Sequence, residues 1–230
     1  MSLAIYSRGM VNIAEVLYEA IAFNPKNWNR DSMAKEIAAA SDRLFDELER
    51  EKIPFTLVGG LAMLSHVAGR NTFDLDLIVS LKEIRRLGAI EIREVNEWFA
   101  MTSYSGLRVD VLRPECPVFD LVHRRFSEPR DFAGRTVLTA TKEGLILLKL
   151  FALPTLYRTF QMEKVGIYET DIGSLIKAGC RNNKELLKLL KPHLEEGEFS
   201  ELRQVLTVLE KKYTARPTTW GSGNRPSPPE

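Results

Sequence analysis

The spacing of apolar residues changes several times along the chain, and each change predicts an element. Residues 10–21 and residues 31–52 carry apolar side chains at helical spacing, so each segment predicts a helix with one buried stripe. A short apolar run over 55–58 predicts a strand. Residues 72–79 alternate with period two, which predicts a second strand that buries one face.

The rest of the chain continues with short strands and then with helices. Two strands flank Ser105-Gly106, which predicts a hairpin, and an exposed connection is expected over 127–130. Thr141 is a suitable N-cap for a strongly apolar helix, and Pro154 is expected to end it. The expected elements are helices over 80–87, 117–126, 142–153, 169–179, 183–192 and 198–213, and strands over 89–95, 98–104, 107–112 and 135–140.

This succession predicts an α/β (α+β) fold in which a small mixed sheet is flanked by helices and followed by a helical bundle. We divide the chain into an N-terminal helical segment over 1–30, a core over 31–140, a helical part over 141–213 and a tail over 214–230. The tail is rich in proline, glycine and serine, so we expect it to be disordered.

Two carboxylates, Asp74 and Asp76, stand on one face of the strand over 72–79. Like charges at such close positions repel each other, so the strand does not need them for its own stability. A bound divalent metal would explain the pair, because hard cations take oxygen ligands. The alternative is a solvent-facing pair that discourages aggregation at a sheet edge.

A third carboxylate, Asp110, lies in the otherwise apolar strand over 107–112. Alternation places Arg108 and Asp110 on one face of this strand and the two valines on the other. Asp110 is either a further metal ligand or an ion-pair partner of Arg108 or Arg113.

Gly59 and Gly60 stand where the first strand passes into a helix. Glycine lets a ligand approach the main chain closely, and a helix start exposes N–H groups that bind phosphates. The alternative is a tight strand–helix junction with no ligand. A phosphate site just before two carboxylates suggests a nucleoside triphosphate with Mg²⁺.

These residues carry a family resemblance. The order Gly59-Gly60-x-Ala62 and then Arg70-x-Thr72-x-Asp74-x-Asp76 resembles the signature of the nucleotidyltransferase superfamily built on the DNA polymerase β-like core. The form of this signature is most similar to the AbiEii/AbiGii-type toxin branch, and the resemblance covers roughly residues 35–180. Ala152, Arg158 and Asp171 continue the pattern of this branch, whereas Tyr168 stands where the branch often has an acid.

The resemblance implies roles for particular residues. Asp74, Asp76 and Asp110 would be catalytic and would hold two Mg²⁺ ions, and residues 31–140 would form the catalytic core. The nucleotide would be bound by Gly59, Gly60, Arg70, Thr72, Lys149 and Arg158. Lys149 could instead extend from an apolar helix to water, and the role of Asp171 stays open because of Tyr168.

The resemblance also implies an activity, which is transfer of a nucleoside monophosphate from an NTP to an acceptor. The acceptor would be RNA, with a tRNA 3′ end as the first choice, or a protein, and the enzyme would be the toxin of a toxin–antitoxin pair. Arg108, Arg124 and Arg125 are the candidate acceptor-binding residues. The alternatives are an aminoglycoside-type small-molecule nucleotidyltransferase and a non-catalytic interaction module.

Composition narrows these choices only slightly. The chain has 230 residues and a net charge of +1, so no overall basic field indicates nucleic acid and any contact needs a local patch. Cys116 and Cys180 are too few and too separated for a disulfide framework or a zinc site. No apolar run reaches the length of a membrane span, and we expect a cytoplasmic protein with no membrane partner.

Overall fold

The computed structural model describes residues 12–22, 31–67, 72 and 74–214. Within these residues the strands form one seven-stranded sheet in the order β3-β4-β5-β2-β1-β7-β6. The strands are β1 (Thr56–Val58), β2 (Leu75–Ile78), β3 (Ile90–Val95), β4 (Phe99–Tyr104), β5 (Leu107–Leu112), β6 (Ser127–Phe132) and β7 (Arg135–Ala140).

The sheet is mixed, as the sequence predicts. Strand β1 pairs antiparallel with β2 and parallel with β7, and β2 pairs parallel with β5. The two hairpins, β4–β5 and β6–β7, are antiparallel, and β3 pairs antiparallel with β4. The α/β class is therefore confirmed, and β2 lies at the centre of the sheet.

Along the sequence, helices come before the first strand, between strands and after the last strand. Helix α2 packs against α1 and β5, and α6 packs against α7 and α8. The described helices are α1 (Ile13–Ala22), α2 (Asp31–Arg50), α3 (Gly59–Leu64), α4 (Leu81–Ile84), α5 (Pro117–Arg125), α6 (Lys142–Arg158), α7 (Met162–Lys177), α8 (Asn183–Leu190) and α9 (Glu196–Thr214).

The alternation in β2 and β5 gives the centre of the sheet one apolar face and one face that carries carboxylates. Leu75, Leu77, Val109 and Val111 are buried on the apolar face, while Asp76 and Asp110 are half-buried. Helix α2 packs on the apolar side, where Glu47 accepts a hydrogen bond from the Tyr104 hydroxyl. The period-two pattern in the sequence is thus explained by a hydrophobic core on one side.

Several boundaries differ from the sequence-based expectations, among them the following three. The expected connection at 127–130 is the edge strand β6, where Pro129 is tolerated because an edge strand leaves some N–H groups unpaired. Helix α6 continues past Pro154 to Arg158, because Leu153 and Leu156 stay buried on either side of the proline. Helix α7 begins at Met162, seven residues earlier than expected from the sequence.

The expected tail lies outside the described residues, apart from its first residue, Thr214, which ends α9. Only residues 12–22 of the expected N-terminal segment are described, and they contribute α1, which packs on α2. Among the residues that the structure describes, no helix is both long and apolar enough to cross a membrane.

Candidate active site

Parallel pairing of β2 with β5 places two of the predicted acids side by side. Asp76 is the register partner of Asp110, and neighbouring strands lie about 5 Å apart. Asp74 precedes β2 by one residue and accepts a hydrogen bond from the Thr72 hydroxyl at 3.1 Å. The fold therefore brings the acids from two distant segments of the sequence to one place on the sheet.

The environment of Asp76 disfavours its charged form. Burial and, after it, the negative charges of Asp74 and Asp110 raise the pKa of Asp76 to about 7. The positive charge of Lys149 and a hydrogen bond donated by the Gly60 N–H oppose this rise in the pKa. Three carboxylates are thus close enough to influence one another, which is costly without a cation between them.

Gly59 and Gly60 pack directly against this group of acids. Gly59 has φ +64°, and a Cβ there would lie 1.8 Å from Oδ2 of Asp76 and 2.7 Å from its Cβ. A Cβ on Gly60 would lie 2.4 Å from Oγ1 of Thr72. Glycine is required at both positions, because Gly59 touches Asp76 itself and Gly60 touches Thr72 beside Asp74.

Asp110 is engaged by an arginine two residues away. Nε and Nη2 of Arg108 donate to the two oxygens of Asp110 at 2.9 and 2.7 Å. This is the ion pair that the sequence left open as the alternative to metal binding. The hydrogen bonds to Asp110 raise the pKa of the Arg108 guanidinium, and the negative charges of Asp74 and Asp76 act in the same direction.

Lys149 is buried in α6 and pairs with Asp171 of α7. Nζ of Lys149 lies 2.7 Å from Oδ2 of Asp171, and both side chains are only 7% exposed. The ammonium also lies 4.4 Å from the centre of the Tyr168 ring. Arg158, at the end of α6, is exposed and pairs with Glu198. Lys149 does not extend to water, so the solvent-reaching alternative for this residue is wrong.

A cavity of about 1150 Å³ opens above the acid-bearing face of the sheet. Helices α5, α6 and α7 and the segment before α9 form its other walls. Its lining includes Gly59, Asp76, Arg108, Asp110, Lys149 and Arg158. A volume of this size accommodates a nucleotide-sized ligand.

Comparison with known proteins bears on the fold. No protein-family model matches the chain, and no curated protein matches it significantly. A crystal structure of an antigenic nucleotidyltransferase-like protein from Paracoccidioides brasiliensis is similar over 77% of this chain and 88% of that chain, with 20% identity and a TM-score of 0.51. The chain has a nucleotidyltransferase fold.

Two structures of ANT(2″)-Ia also match, at 14% identity each. A solution structure of this antibiotic-resistance factor covers 74% of this chain and 90% of that chain with a TM-score of 0.42. A crystal structure in complex with adenylyl-2″-tobramycin covers 79% and 97% with a TM-score of 0.35. The resemblance to the AbiEii/AbiGii-type branch stays a prediction.

A metal in this nucleotidyltransferase fold would need the three acids to converge. Their donor chemistry fits a hard divalent cation, because carboxylate oxygens are its preferred ligands and Asp76 is crowded by like charge. Within residues 12–22, 31–67, 72 and 74–214, however, no three His, Cys, Asp or Glu side chains are placed to hold a metal ion. Asp110 would have to turn from Arg108 to complete such a site.

The other predicted binding residues divide into two groups. Arg108 lines the cavity, whereas Arg124 and Arg125 lie at the end of α5, outside the cavity lining. Arg124 pairs with Asp120 at 2.7 Å, and the Arg125 guanidinium lies 5.8 Å from the centre of the Phe126 ring. Arg70 lies outside the described residues.

The sequence reasoning missed an aromatic wall of the cavity. Its members come from β4, the turn before it, α5 and α6, and no local motif joins them. They are Trp98, Phe99, Phe119 and Phe151. The alternation in β4 could have placed Phe99 on the face that carries carboxylates, because Met101, two residues later, pairs with Asp110.

Proposed function

We propose that this protein transfers a nucleoside monophosphate from an NTP to an acceptor hydroxyl in a metal-dependent reaction. The observation that carries the proposal is the row formed by Asp76 and Asp110 on parallel strands, with Asp74 close enough to raise the pKa of Asp76. Such crowding of carboxylates is costly in the isolated protein, and a cationic ligand offsets that cost. The nucleotidyltransferase fold supports the same class of reaction.

Asp74, Asp76 and Asp110 would hold two Mg²⁺ ions. When bound, these ions would neutralise the triphosphate and promote ionisation of the acceptor hydroxyl. Arg108 now compensates Asp110 and lies within reach of Asp74 and Asp76. In the metal-bound enzyme Arg108 would turn from Asp110 to the phosphate backbone of the acceptor, because a guanidinium binds phosphate in the same forked geometry as carboxylate.

The remaining cationic and glycine residues would orient the nucleotide. Lys149 is fixed by Asp171 and faces Asp76 across the cavity, so its charge would stabilise the negative charge that develops on the pyrophosphate. Gly59 and Gly60 would let the β- and γ-phosphates approach the main chain, and Arg70 and Thr72 would be further nucleotide-binding residues. Arg158 would contact the phosphates from the cavity wall.

The reaction would be a single displacement at the α-phosphorus. The acceptor oxygen forms the new bond to phosphorus as the bond to pyrophosphate breaks. Asp110, at the acceptor side of the row, receives the proton of the hydroxyl. Pyrophosphate leaves past Gly59 and carries away the charge that the cations stabilise.

For the acceptor we propose RNA, with a tRNA 3′ end first and a protein hydroxyl second, in a toxin that an antitoxin protein restrains. The support is the resemblance of the Gly-Gly and Arg-x-Thr-x-Asp-x-Asp segments to the toxin branch. Arg108 in the cavity is the residue best placed to meet a phosphate backbone. Arg124 and Arg125 would contact RNA only where it crosses α5.

A cationic small molecule is the second candidate acceptor. Glu94 and Glu195 line the cavity in addition to the acids of the sheet. Glu94 pairs in register with Met101, which itself pairs with Asp110, so all three stand in one row across the sheet. A cavity lined by Glu94 and Glu195 in addition to Asp76 and Asp110 suits an acceptor that carries several amino groups.

The proposal is tested by labelling with α-³²P NTPs in Mg²⁺ or Mn²⁺, offered with total RNA, with protein and with aminoglycosides. Wild type should label one acceptor class, and Asp76→Asn and Asp110→Asn should reduce labelling below detection. Asp120→Asn is the matched control, because Asp120 lies on α5 outside the cavity lining and should label normally. No transfer by folded wild type, or undiminished transfer by Asp76→Asn, contradicts the proposal.

The toxin role has a separate readout in cells. Expression of wild type should arrest growth, Asp76→Asn should not, and co-expression of an adjacent small gene product should restore growth if it is the antitoxin. Labelling in vitro without any growth arrest would support the transferase activity and contradict the toxin role.

A further inference from the structure

Four aromatic rings form a continuous wall at one end of the cavity. Trp98 lies 5.7 Å from Phe151, Phe151 lies 5.9 Å from Phe119, and Phe119 lies 5.1 Å from Phe99, measured between ring centres. Phe119 is fully buried, whereas Phe99 is 42% exposed and lines the cavity. A large apolar ring is therefore supported from behind while one of its surfaces stays open.

The sheet register fixes where this wall stands relative to the acids. Phe99 pairs with Leu112 and Met101 pairs with Asp110, so Phe99 stands about 7 Å along the strand from the acid row and one strand beyond Asp110. Val58 pairs with Asp76, and Gly59 follows it on the opposite side of the row. The order along the sheet is therefore Gly59, then the acids, then Phe99.

The turn that carries the wall is held rigidly. Oδ1 of Asn96 accepts hydrogen bonds from the N–H groups of Trp98 and Phe99 at 3.0 and 2.8 Å. The N–H of Arg113 donates to the Trp98 carbonyl at 2.8 Å, and Nη1 of Arg113 donates to the Asn96 carbonyl at 2.7 Å. The rings are thus ordered before any ligand arrives, which lowers the entropic cost of binding.

We infer that this aromatic wall binds the nucleobase of the NTP, with the base stacked on Phe99. The inference rests on the proposed function, which puts the β- and γ-phosphates near Gly59 and the α-phosphate at the acids. The nucleoside of such a triphosphate then continues away from Gly59, toward Phe99. A neutral, planar base suits a wall of rings, and stacking accepts every base because each has a π-face.

The test separates the base from the phosphates by measuring binding without turnover. Calorimetry in Mg²⁺ compares a non-hydrolysable NTP analogue with inorganic tripolyphosphate, which has no base. Phe99→Ala should weaken the analogue about ten-fold and leave tripolyphosphate unchanged. Phe99→Tyr, which keeps the ring, should bind the analogue as wild type does. Phe160→Ala is the matched control, because Phe160 is 85% exposed and does not line the cavity.

Three results overturn the inference. If Phe99→Ala weakens both ligands equally or neither of them, the base does not lie on this wall, and the proposed function stands. If Phe99→Ala leaves analogue binding intact and raises only the KM of the acceptor, the wall belongs to the acceptor. If folded wild type binds neither ligand, the proposed function fails and the inference fails with it.

Discussion

Two groups of buried charge meet in the cavity, and they are built differently. Asp171 in α7 faces Lys149 at 2.7 Å, so each charge has an opposite partner. Asp76 in β2 faces two further carboxylates, and burial and their charge raise its pKa to about 7. The helical pair is complete within the protein, whereas the sheet group has three carboxylates and one directly paired cation, Arg108 on Asp110.

Lys149 connects the two groups. It pairs with Asp171, and its charge also opposes the rise in the pKa of Asp76 that burial and the other acids cause. The helical pair therefore serves the sheet group by holding one cation at a fixed distance from the acids. Stability should depend on the helical pair, while ligand binding should depend on the sheet group. The following substitutions separate these two kinds of dependence.

The largest loss of stability is expected from breaking the helical pair. Lys149→Met or Asp171→Leu leaves one buried charge uncompensated, which should lower the free energy of unfolding by about 3–5 kcal/mol. Urea unfolding measures the change. The double variant removes both charges and should recover most of the loss. Single variants that unfold like wild type would show that the pair is not structurally important.

Gly59→Ala should have the next largest effect. The new Cβ would overlap Asp76, and φ +64° is unfavourable for alanine, so we expect a loss of about 2 kcal/mol or more. Gly88→Ala is the control, because a Cβ there meets no heavy atom within 4 Å. Equal unfolding midpoints for the two variants would show that the junction does not press on the acid.

Asp76→Asn should act in the opposite direction and should depend on pH. The folded state keeps the Asp76 proton to about pH 7, whereas the unfolded chain releases it near pH 4. The contribution of Asp76 to stability therefore falls as pH rises from about 4 through 7. In EDTA the variant should exceed wild type by about 1–3 kcal/mol at pH 8 and by much less at pH 5. The same difference at both pH values would contradict this explanation.

The smallest effect is expected at the end of α5. Replacing Arg124 and Arg125 together by Ala removes one exposed ion pair and one ring contact, so stability should change by less than about 1 kcal/mol. If RNA crosses α5, labelling of RNA should fall several-fold and become more sensitive to salt while NTP binding is unchanged. RNA labelling that is unchanged by the double substitution would exclude RNA binding across α5.

Much of the fold follows from period-two alternation and from local turn residues. The alternation in 72–79 and 107–112 predicts which residues face the core, and it puts Asp76, Arg108 and Asp110 on the other faces. Strand β6 was missed because Glu128, Pro129 and Arg130 interrupt the alternation, and pairing with β7 outweighs their low strand propensity. Helix α6 continues past Pro154 because residues on both sides of the proline are buried, and local sequence rules do not predict burial in the folded chain.

The sequence predicts which residues belong to the candidate site, but it does not predict most of the contacts between them. The register that places Asp76 beside Asp110 depends on a parallel pairing across more than thirty residues of sequence. The pairing of Lys149 with Asp171 requires that α6 and α7 pack together with these two residues side by side. The aromatic wall gathers rings from three separate segments, so only the folded chain shows it.

The most direct test of a metal site at the acid row is the binding of Mn²⁺ itself. Electron paramagnetic resonance with a non-hydrolysable NTP analogue measures free and bound Mn²⁺ without any acceptor. Wild type and Asp120→Asn should bind Mn²⁺ with the same affinity, and Asp76→Asn and Asp110→Asn should each weaken binding at least about ten-fold. Equal binding by wild type and Asp76→Asn, or no binding by wild type, would contradict a metal-dependent nucleotidyltransferase site at these acids.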